Sequence, residues 1–260
     1  MSMAYVEFEQ RGRVAVISIN RPERRNALGR EVREGLVKAF LRVEADPDIW
    51  VAVLRGEGGR AFCAGADLKE IHEADQRGER FVPPMSGPER HVFEVVRETY
   101  KPVIACINGA AVAGGLELAL ACDIRIASDD AVLGMPEAKR GMGANFASVV
   151  LPRIVPLGVA FEMLYTGDYL DAQEAWRVGL VNRVVPKAEV EQYTLDYAER
   201  LSRNAPLTLR RYKHMILKTL DMPVAAGLRL DAGPNPYLSR DRMEGIAAFV
   251  EHREPRWEGR

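Results

Sequence analysis

The chain has 260 residues, a length that suits one large domain or a core with a smaller appendage. Its 36 basic and 37 acidic residues leave a formal net charge of −1, so composition gives no reason to expect binding to nucleic acid or to an anionic membrane. No apolar run reaches the roughly 18 residues of a membrane-spanning helix, and the mixed charges of the N-terminal segment are not typical of a secretory signal.

The first half of the chain alternates between strand and helix patterns. Residues 5–10 and 13–20 predict two strands joined by a turn at Gly12, because β-branched residues flank that glycine. Apolar residues at every fourth position between 28 and 40 predict an amphipathic helix. Three buried strands are predicted at residues 50–55, 102–107 and 123–127. Because helical patterns lie between these strands, the fold class is predicted to be α/β.

The second half becomes helical after about Pro186. Helices are predicted over residues 190–203, from Pro206 to Leu220, and over 240–251. Residues 76–89 are rich in glycine and proline, which predicts a mobile connection near a functional site. An α/β core followed by helices suggests that the helical part packs elsewhere, for example on another subunit.

Three cysteines, an odd number, lie among apolar neighbours at positions 63, 106 and 122. This pattern predicts small core residues in a reduced compartment, neither a disulfide frame nor a metal cluster. We therefore expect a cytoplasmic protein without a metal site.

A glycine-rich stretch from Gly56 to Ala61 matches the G-x-G-x-x-A pattern of dinucleotide-binding loops and follows a predicted strand. The residues after it start no clear helix, whereas a dinucleotide fingerprint should open one. A glycine-rich surface turn is therefore the favoured interpretation.

Two glutamates interrupt apolar stretches that otherwise suit burial. Glu117 lies in A-G-G-L-E-L-A-L-A-C-D and Glu137 follows Pro136 in G-M-P-E. A helix, a strand and a segment that runs back toward the helix account for the chain between them. This arrangement could bring both carboxyl groups to one cavity. Burial would then separate their pKa values and give one acid and one base, which can add or remove water. The alternative is that each is an exposed acid at a helix start.

Two turns of small residues, 62–67 and 113–115, could let a ligand approach backbone N–H groups closely. Two such turns can direct two donors at one oxygen and form an oxyanion hole. Tight packing between a strand and a helix is the alternative for each turn.

Seven segments together resemble the crotonase, or enoyl-CoA hydratase/isomerase, superfamily over essentially the whole chain. They are N-R-P-E-R-R-N-A-L (20–28), A-F-C-A-G-A-D-L-K-E (61–70), K-P-V-I-A-C-I-N-G (101–109), the Glu117 segment (113–123), M-P-E (135–137), G-L-V-N-R-V-V-P (179–186) and E-G-I-A-A-F-V-E-H-R-E-P (244–255). Their order and spacing are those of the family. The resemblance implies a ClpP-like spiral of ββα units, residues 1–195, followed by a helical trimerisation region, residues 196–260.

The resemblance also implies an activity. The protein would be an enoyl-CoA hydratase that adds water syn to a trans-2-enoyl-CoA, as in fatty-acid or related acyl-CoA metabolism. The thioester oxygen would lie between the backbone N–H groups of Ala66 and Gly114. Glu117 would activate the water for attack at C3, and Glu137 would deliver a proton to C2.

Further positions are assigned to the coenzyme A substrate by the same resemblance. They are Arg24, Arg25, Ala27, Ala64, Asp67, Leu68, Lys69, Pro136 and Phe146. Coenzyme A would be part of the substrate, with no tightly bound cofactor and no metal. The protein would be a trimer or a dimer of trimers and would bind neither nucleic acid nor membrane. Alternatives are a Δ3–Δ2-enoyl-CoA isomerase, another enolate chemistry such as decarboxylation or hydrolysis, and a crotonase-fold binding protein.

The chain departs from the family pattern at four places. Ala113 stands where the family often has glycine, and Asn145 and Phe146 replace small residues, which should change the acyl pocket. Residues 231–236 are rich in helix breakers, and His252 stands where a lysine can contact coenzyme A.

Overall fold

The computed structural model describes residues 5–260 and contains ten strands and eleven α-helices within that range. The strands are β1 (Val6–Arg11), β2 (Val14–Ile19), β3 (Val51–Gly56), β4 (Ala61–Cys63), β5 (Val103–Ile107), β6 (Ala110–Val112), β7 (Ile124–Ser128), β8 (Val132–Gly134), β9 (Tyr169–Asp171) and β10 (Arg183–Val185). The five strands predicted from the sequence are confirmed as β1, β2, β3, β5 and β7.

The helices are α1 (Arg30–Ala45), α2 (Leu68–Gln76), α3 (Val92–Glu98), α4 (Gly114–Ala121), α5 (Asn145–Val150), α6 (Leu157–Thr166), α7 (Ala172–Arg177), α8 (Val190–Ser202), α9 (Pro206–Thr219), α10 (Val224–Gly227) and α11 (Arg240–Val250). The predicted amphipathic helix is α1, and the three helices predicted after Pro186 are α8, α9 and α11. No regular element lies between α2 and α3, as expected for residues 76–89. Among residues 5–260, no helix is long and apolar enough to cross a bilayer.

A six-stranded sheet forms the centre of the core in the order β1-β2-β3-β5-β7-β10. The β1–β2 pair is antiparallel, and the remaining neighbours are parallel. All residues of β2 are buried because both faces of the sheet are covered, as is usual for parallel strands. Alternate residues pack into two cores: Ala15, Ile17 and Ile19 into the larger, and Val14 and Val16 into the one beside α8.

A second sheet has the order β4-β6-β8-β9. Strands β3, β5 and β7 of the first sheet are each followed by a short strand of the second, namely β4, β6 and β8, and then by at least one helix. This repeated strand–strand–helix unit confirms the ββα spiral that the family resemblance implied. Strand β4 begins after Gly58 and Gly59, which have φ of +83° and +64°. A turn followed by a strand excludes the dinucleotide-binding interpretation of this stretch.

The last helices attach to the core at two places. Helix α8 covers one face of the main sheet and runs without a break across the predicted division between residues 195 and 196. On α9, buried Lys213 forms an ion pair of 2.8 Å with Asp123, beside the start of β7. The division into a core and a helical region stays a prediction. Residues 231–235 form no helix, in line with their composition.

Candidate active site

Helix α4 begins where two segments of backbone approach each other closely. A Cβ atom on Gly115 would lie 1.9 Å from the carbonyl oxygen of Cys63 in β4, so glycine alone fits here. Ala113, just before the helix, has φ of +55° and ψ of −131°, a conformation that costs a residue with a side chain about 1–3 kcal/mol. The approach places the first turn of α4, with Glu117, inside the protein.

Glu117 is buried, with 6% of its surface exposed. Its Oε1 accepts hydrogen bonds from the backbone N–H groups of Phe146 (3.0 Å) and Ala147 (2.9 Å) in the first turn of α5. The pKa of Glu117 is raised to about 7, mainly by burial and also by the nearby charge of Glu137, whereas the hydrogen bonds from the two N–H groups oppose the rise. The alternative of an exposed acid at a helix start is therefore wrong for Glu117.

Glu137 lies in a 3-10 turn, Pro136–Arg140, that follows β8. The residue is 8% exposed, and its Oε2 has no hydrogen-bond partner among residues 5–260. Burial raises the pKa of Glu137, while its own backbone N–H and the charge of Arg140 oppose the rise. Its unpaired buried oxygen is available to a ligand.

A cavity of about 150 Å³ brings the two carboxylates together. Seven of the residues predicted from the sequence contribute to its lining: Ala64, Ala66, Leu68, Gly114, Glu117, Pro136 and Glu137. The other predicted residues lie outside this lining: Arg24, Arg25, Ala27, Asp67, Lys69 and Phe146.

The two small-residue turns meet at one edge of this cavity. Gly65 has φ of +87°, and a Cβ atom there would lie 2.9 Å from the backbone nitrogen of Gly114. The carbonyl of Gly65 accepts a hydrogen bond from Leu28 N (2.7 Å), which fixes the turn. Within the described part of the chain, neither Ala66 N nor Gly114 N donates a hydrogen bond to another backbone group. Two backbone donors of adjacent turns are thus free beside the two carboxylates.

A family model described as enoyl-CoA hydratase/isomerase matches residues 9–260. The chain belongs to the enoyl-CoA hydratase/isomerase family. It is 38% identical over 265 residues to the (E)-benzylidenesuccinyl-CoA hydratase of Thauera aromatica, with 98% of this chain and 99% of that protein covered. It is 36% identical over 262 residues to the carnitinyl-CoA dehydratase of Citrobacter koseri, with 98% of both chains covered.

Solved structures agree with this membership. The crystal structure of an enoyl-CoA hydratase from Mycobacterium tuberculosis superposes with a TM-score of 0.87 at 36% identity, over 98% of this chain and 99% of that one. The ββα spiral seen here is therefore the fold of the enoyl-CoA hydratase/isomerase family.

One residue that the family resemblance assigned to substrate binding makes its polar contacts within the protein instead. Asp67 is buried, caps α2 by accepting from the backbone N–H groups of Lys69 (3.1 Å) and Glu70 (3.3 Å), and pairs with Arg21 at 3.0 Å. It holds the start of α2 beside Ala66. Phe146 takes part through its backbone N–H, while its ring packs against Phe93 at 5.5 Å.

Several cavity residues were not predicted from the sequence. They are Leu28, Arg33, His91, Phe93, Val112, Arg140, Met142 and Gly143. Two more lining residues, Ala113 and Pro84, lie in segments that the sequence had placed near a functional site. Pro84 comes from the loop between α2 and α3, so that loop does border the site. Arg33 is one of two arginines at the start of α1, and nothing in its sequence context separates it from Arg30.

Proposed function

We propose that the protein is an enoyl-CoA hydratase that adds water syn across the C2=C3 bond of a trans-2-enoyl-CoA thioester. The observation that carries this proposal is the pair of buried carboxylates, Glu117 and Glu137, in one cavity with two free backbone donors. Hydratase and dehydratase relatives at 36–38% identity over nearly the whole chain support it.

The backbone N–H groups of Ala66 and Gly114 would bind the thioester oxygen. Attack of water at C3 moves negative charge onto that oxygen, and preorganised donors stabilise the resulting enolate. Removal of one such donor typically costs about 2.7–4 kcal/mol of barrier. Backbone donors suit this task because the fold itself holds them in place.

Glu117 and Glu137 would then divide the two proton transfers. Hydration needs an ionised Glu117 to accept a proton from water and a protonated Glu137 to donate one to C2, so the pair carries one proton. Because Oε1 of Glu117 is held by Phe146 and Ala147, Oε2 is the oxygen left for water. With the proton on Glu117 instead, the same pair catalyses the reverse dehydration.

An isomerase reaction would need a single acid–base residue, matching Glu137. The backbone hydrogen bonds that orient Glu117 favour a reaction that uses both carboxylates. The identity of the preferred acyl group can be tested with a panel of enoyl-CoA thioesters of varied length, each at saturating concentration, together with carnitinyl-CoA and (E)-benzylidenesuccinyl-CoA.

Replacement of Glu117 by glutamine tests the proposal. Hydration of crotonyl-CoA, followed as loss of the conjugated-enoyl absorbance, should fall by about 10²–10⁴-fold because general acid–base catalysis is lost. The exposed Glu31→Gln variant is the matched control and should retain activity. Nearly intact turnover in Glu117→Gln would exclude the two-glutamate scheme.

The homo-oligomer implied by the family resemblance is part of the same proposal, as are a cytoplasmic location and a role in acyl-CoA metabolism. Exposed apolar side chains on and around the last helices support the oligomer: Ile216, Leu220, Val224, Leu228, Leu238 and Phe249. Light scattering coupled to size-exclusion chromatography should give a mass of three or six chains. A monomer at micromolar concentration would contradict it.

A further inference from the structure

Three polar side chains of the cavity lining have no part in the proposed hydration. One of them, Arg140, is exposed and donates a hydrogen bond to the carbonyl of Pro136 (3.1 Å), and the other two are Arg33 and His91. Arg33 comes from the first turns of α1, and His91 immediately precedes α3. Both are half-buried and line the cavity that contains Glu117 and Glu137.

Arg33 differs from its arginine neighbours in how its charge is balanced. Arg30 pairs with Glu34 at 2.9 Å, and Arg21 pairs with Asp67 at 3.0 Å. Nη1 of Arg33 donates to the carbonyl of Leu28 (2.9 Å), but within residues 5–260 no carboxylate lies within ion-pair distance of its guanidinium. One hydrogen bond leaves four of the five N–H donors of this half-buried guanidinium free for a ligand.

His91 provides a second hydrogen-bonding group beside Arg33. Its Nδ1 accepts a long hydrogen bond of 3.5 Å from Phe93 N, an arrangement that leaves the ring proton on Nε2. Burial lowers the pKa of His91, and the charge of Arg33 lowers it further against the opposing effect of Glu94. At neutral pH the ring is therefore an uncharged N–H donor.

The position of the two groups indicates which part of a thioester they would meet. The ring of His91 contacts Phe93 edge-on at 4.5 Å, and Phe93 contacts Phe146 at 5.5 Å. The backbone N–H of Phe146 binds Glu117. A row of aromatic contacts thus runs from the cavity wall beside Arg33 to Glu117, the carboxylate that would activate water. The basic residues assigned to coenzyme A lie outside the cavity lining: Arg24, Arg25 and Lys69.

We propose that the preferred substrate carries a carboxylate on its acyl group, bound by the guanidinium of Arg33 with a second hydrogen bond from Nε2 of His91. The proposal rests on the hydratase function and specifies its substrate class, a 2-enoyl thioester of a dicarboxylic acid. An acyl chain ending in a methyl group leaves Arg33 unpaired, and a chain ending in a quaternary ammonium group is repelled. Sites built to pair a polar group discriminate strongly against analogues that lack it.

The test compares two thioesters of equal length with two arginine variants. Trans-2-hexenedioyl-CoA and trans-2-hexenoyl-CoA differ only in a terminal carboxylate or methyl group. The wild-type kcat/KM should favour the diacid by roughly 100-fold. Arg33→Met should remove this preference and leave hexenoyl-CoA within about threefold, while Arg33→Lys should restore part of it. Arg30→Met, on the same helix but exposed, is the matched control and should change neither substrate.

Binding of saturated thioesters separates this proposal from the hydratase function. Adipyl-CoA and hexanoyl-CoA cannot be hydrated, so calorimetry on them reports recognition alone. A tighter Kd for adipyl-CoA that disappears in Arg33→Met supports the carboxylate site whatever reaction the enzyme catalyses. Hydration of enoyl thioesters without that difference in Kd would overturn the carboxylate site and leave the hydratase function intact.

Two other outcomes would also overturn the proposal. An equal loss of kcat/KM for both thioesters in Arg33→Met would show that Arg33 binds a phosphate of coenzyme A. A wild-type preference for hexenoyl-CoA, or for an acyl chain with a quaternary ammonium group, would show that the cavity selects against an acyl carboxylate.

Discussion

The two sides of the cavity are built in different ways. The carboxylate side consists of Ala66, Gly114, Glu117 and Glu137, and it depends on backbone N–H groups held by close contacts between turns. The arginine side consists of Arg33, His91 and Phe93, and it presents side chains from α1 and the start of α3. In the proposed function, the carboxylate side would carry out the reaction and the arginine side would select the acyl group.

This difference predicts unequal sensitivity to mutation. On the carboxylate side, an added methyl group moves backbone atoms that form the reactive geometry. On the arginine side, a substitution would alter only the proposed contacts with the acyl group, and it leaves the donors of Ala66 and Gly114 in place. Four experiments measure this contrast, in order of expected effect.

The substitution Gly65→Ala should have the largest effect. Its Cβ would lie 2.8 Å from Ala113 Cβ and 2.9 Å from Gly114 N, so the two turns must separate. Displacement of a donor should lower kcat for crotonyl-CoA by about 10²–10³-fold. Gly59→Ala is the control, since it has a similar φ of +64° with no atom within 4 Å and should keep its kcat. Equal kcat values in Gly65→Ala and Gly59→Ala would show that the turn at Gly65 does not contribute to catalysis.

The stability of Glu117→Gln should depend on pH in a known direction. The folded protein raises the pKa of Glu117 from 4.5 to about 7, so between these values it binds more protons than the unfolded chain and loses stability as pH rises. The difference in free energy of unfolding between Glu117→Gln and wild type should therefore shift in favour of the variant by roughly 2–3 kcal/mol when the pH is raised from 5 to 8. Denaturant unfolding at both pH values measures this, and a difference that does not change with pH would contradict it.

The rate of hydration should fall on the alkaline side of neutrality. The glutamate pair needs one proton, and burial raises the pKa of Glu117 to about 7. Above that value kcat/KM for crotonyl-CoA should decrease by about tenfold for each pH unit as the last proton is lost. A profile that stays level between pH 6 and 9 would exclude a shared proton.

The smallest effect is expected for Phe146→Leu, at the junction of the two sides. The backbone N–H of residue 146 still donates to Glu117, so kcat for crotonyl-CoA should remain within about threefold. The space beside Phe93 grows, which should raise kcat/KM for bulkier acyl groups. The ratio of rates on a bulky and a short enoyl-CoA measures this. A large loss on crotonyl-CoA would mean that the ring itself positions Glu117.

Much of the architecture could be predicted from sequence because it depends on local patterns. Five of the six strands of the main sheet have five or six residues and could be predicted, whereas β10 has three and was missed. Helices α1, α8, α9 and α11 have clear helical periodicity. The second sheet was not predicted, since β4, β6, β8 and β9 have three residues each and show no usable period. Such strands exist only through pairing with distant partners. Helices α6 and α7 were not predicted either.

The sequence by itself determined the α/β class and the two glutamates, because a carboxylate within an apolar run requires an explanation wherever the chain folds. Only the tertiary structure decided that Glu117 accepts hydrogen bonds from the backbone N–H groups of Phe146 and Ala147. The close approach of Gly65 to Gly114, which brings the two turns together, was likewise decided by the tertiary structure. It also decided that Arg33, among several similar arginines, faces the cavity without a carboxylate partner in the described chain. These facts join residues that are distant in sequence, and no local pattern encodes such contacts.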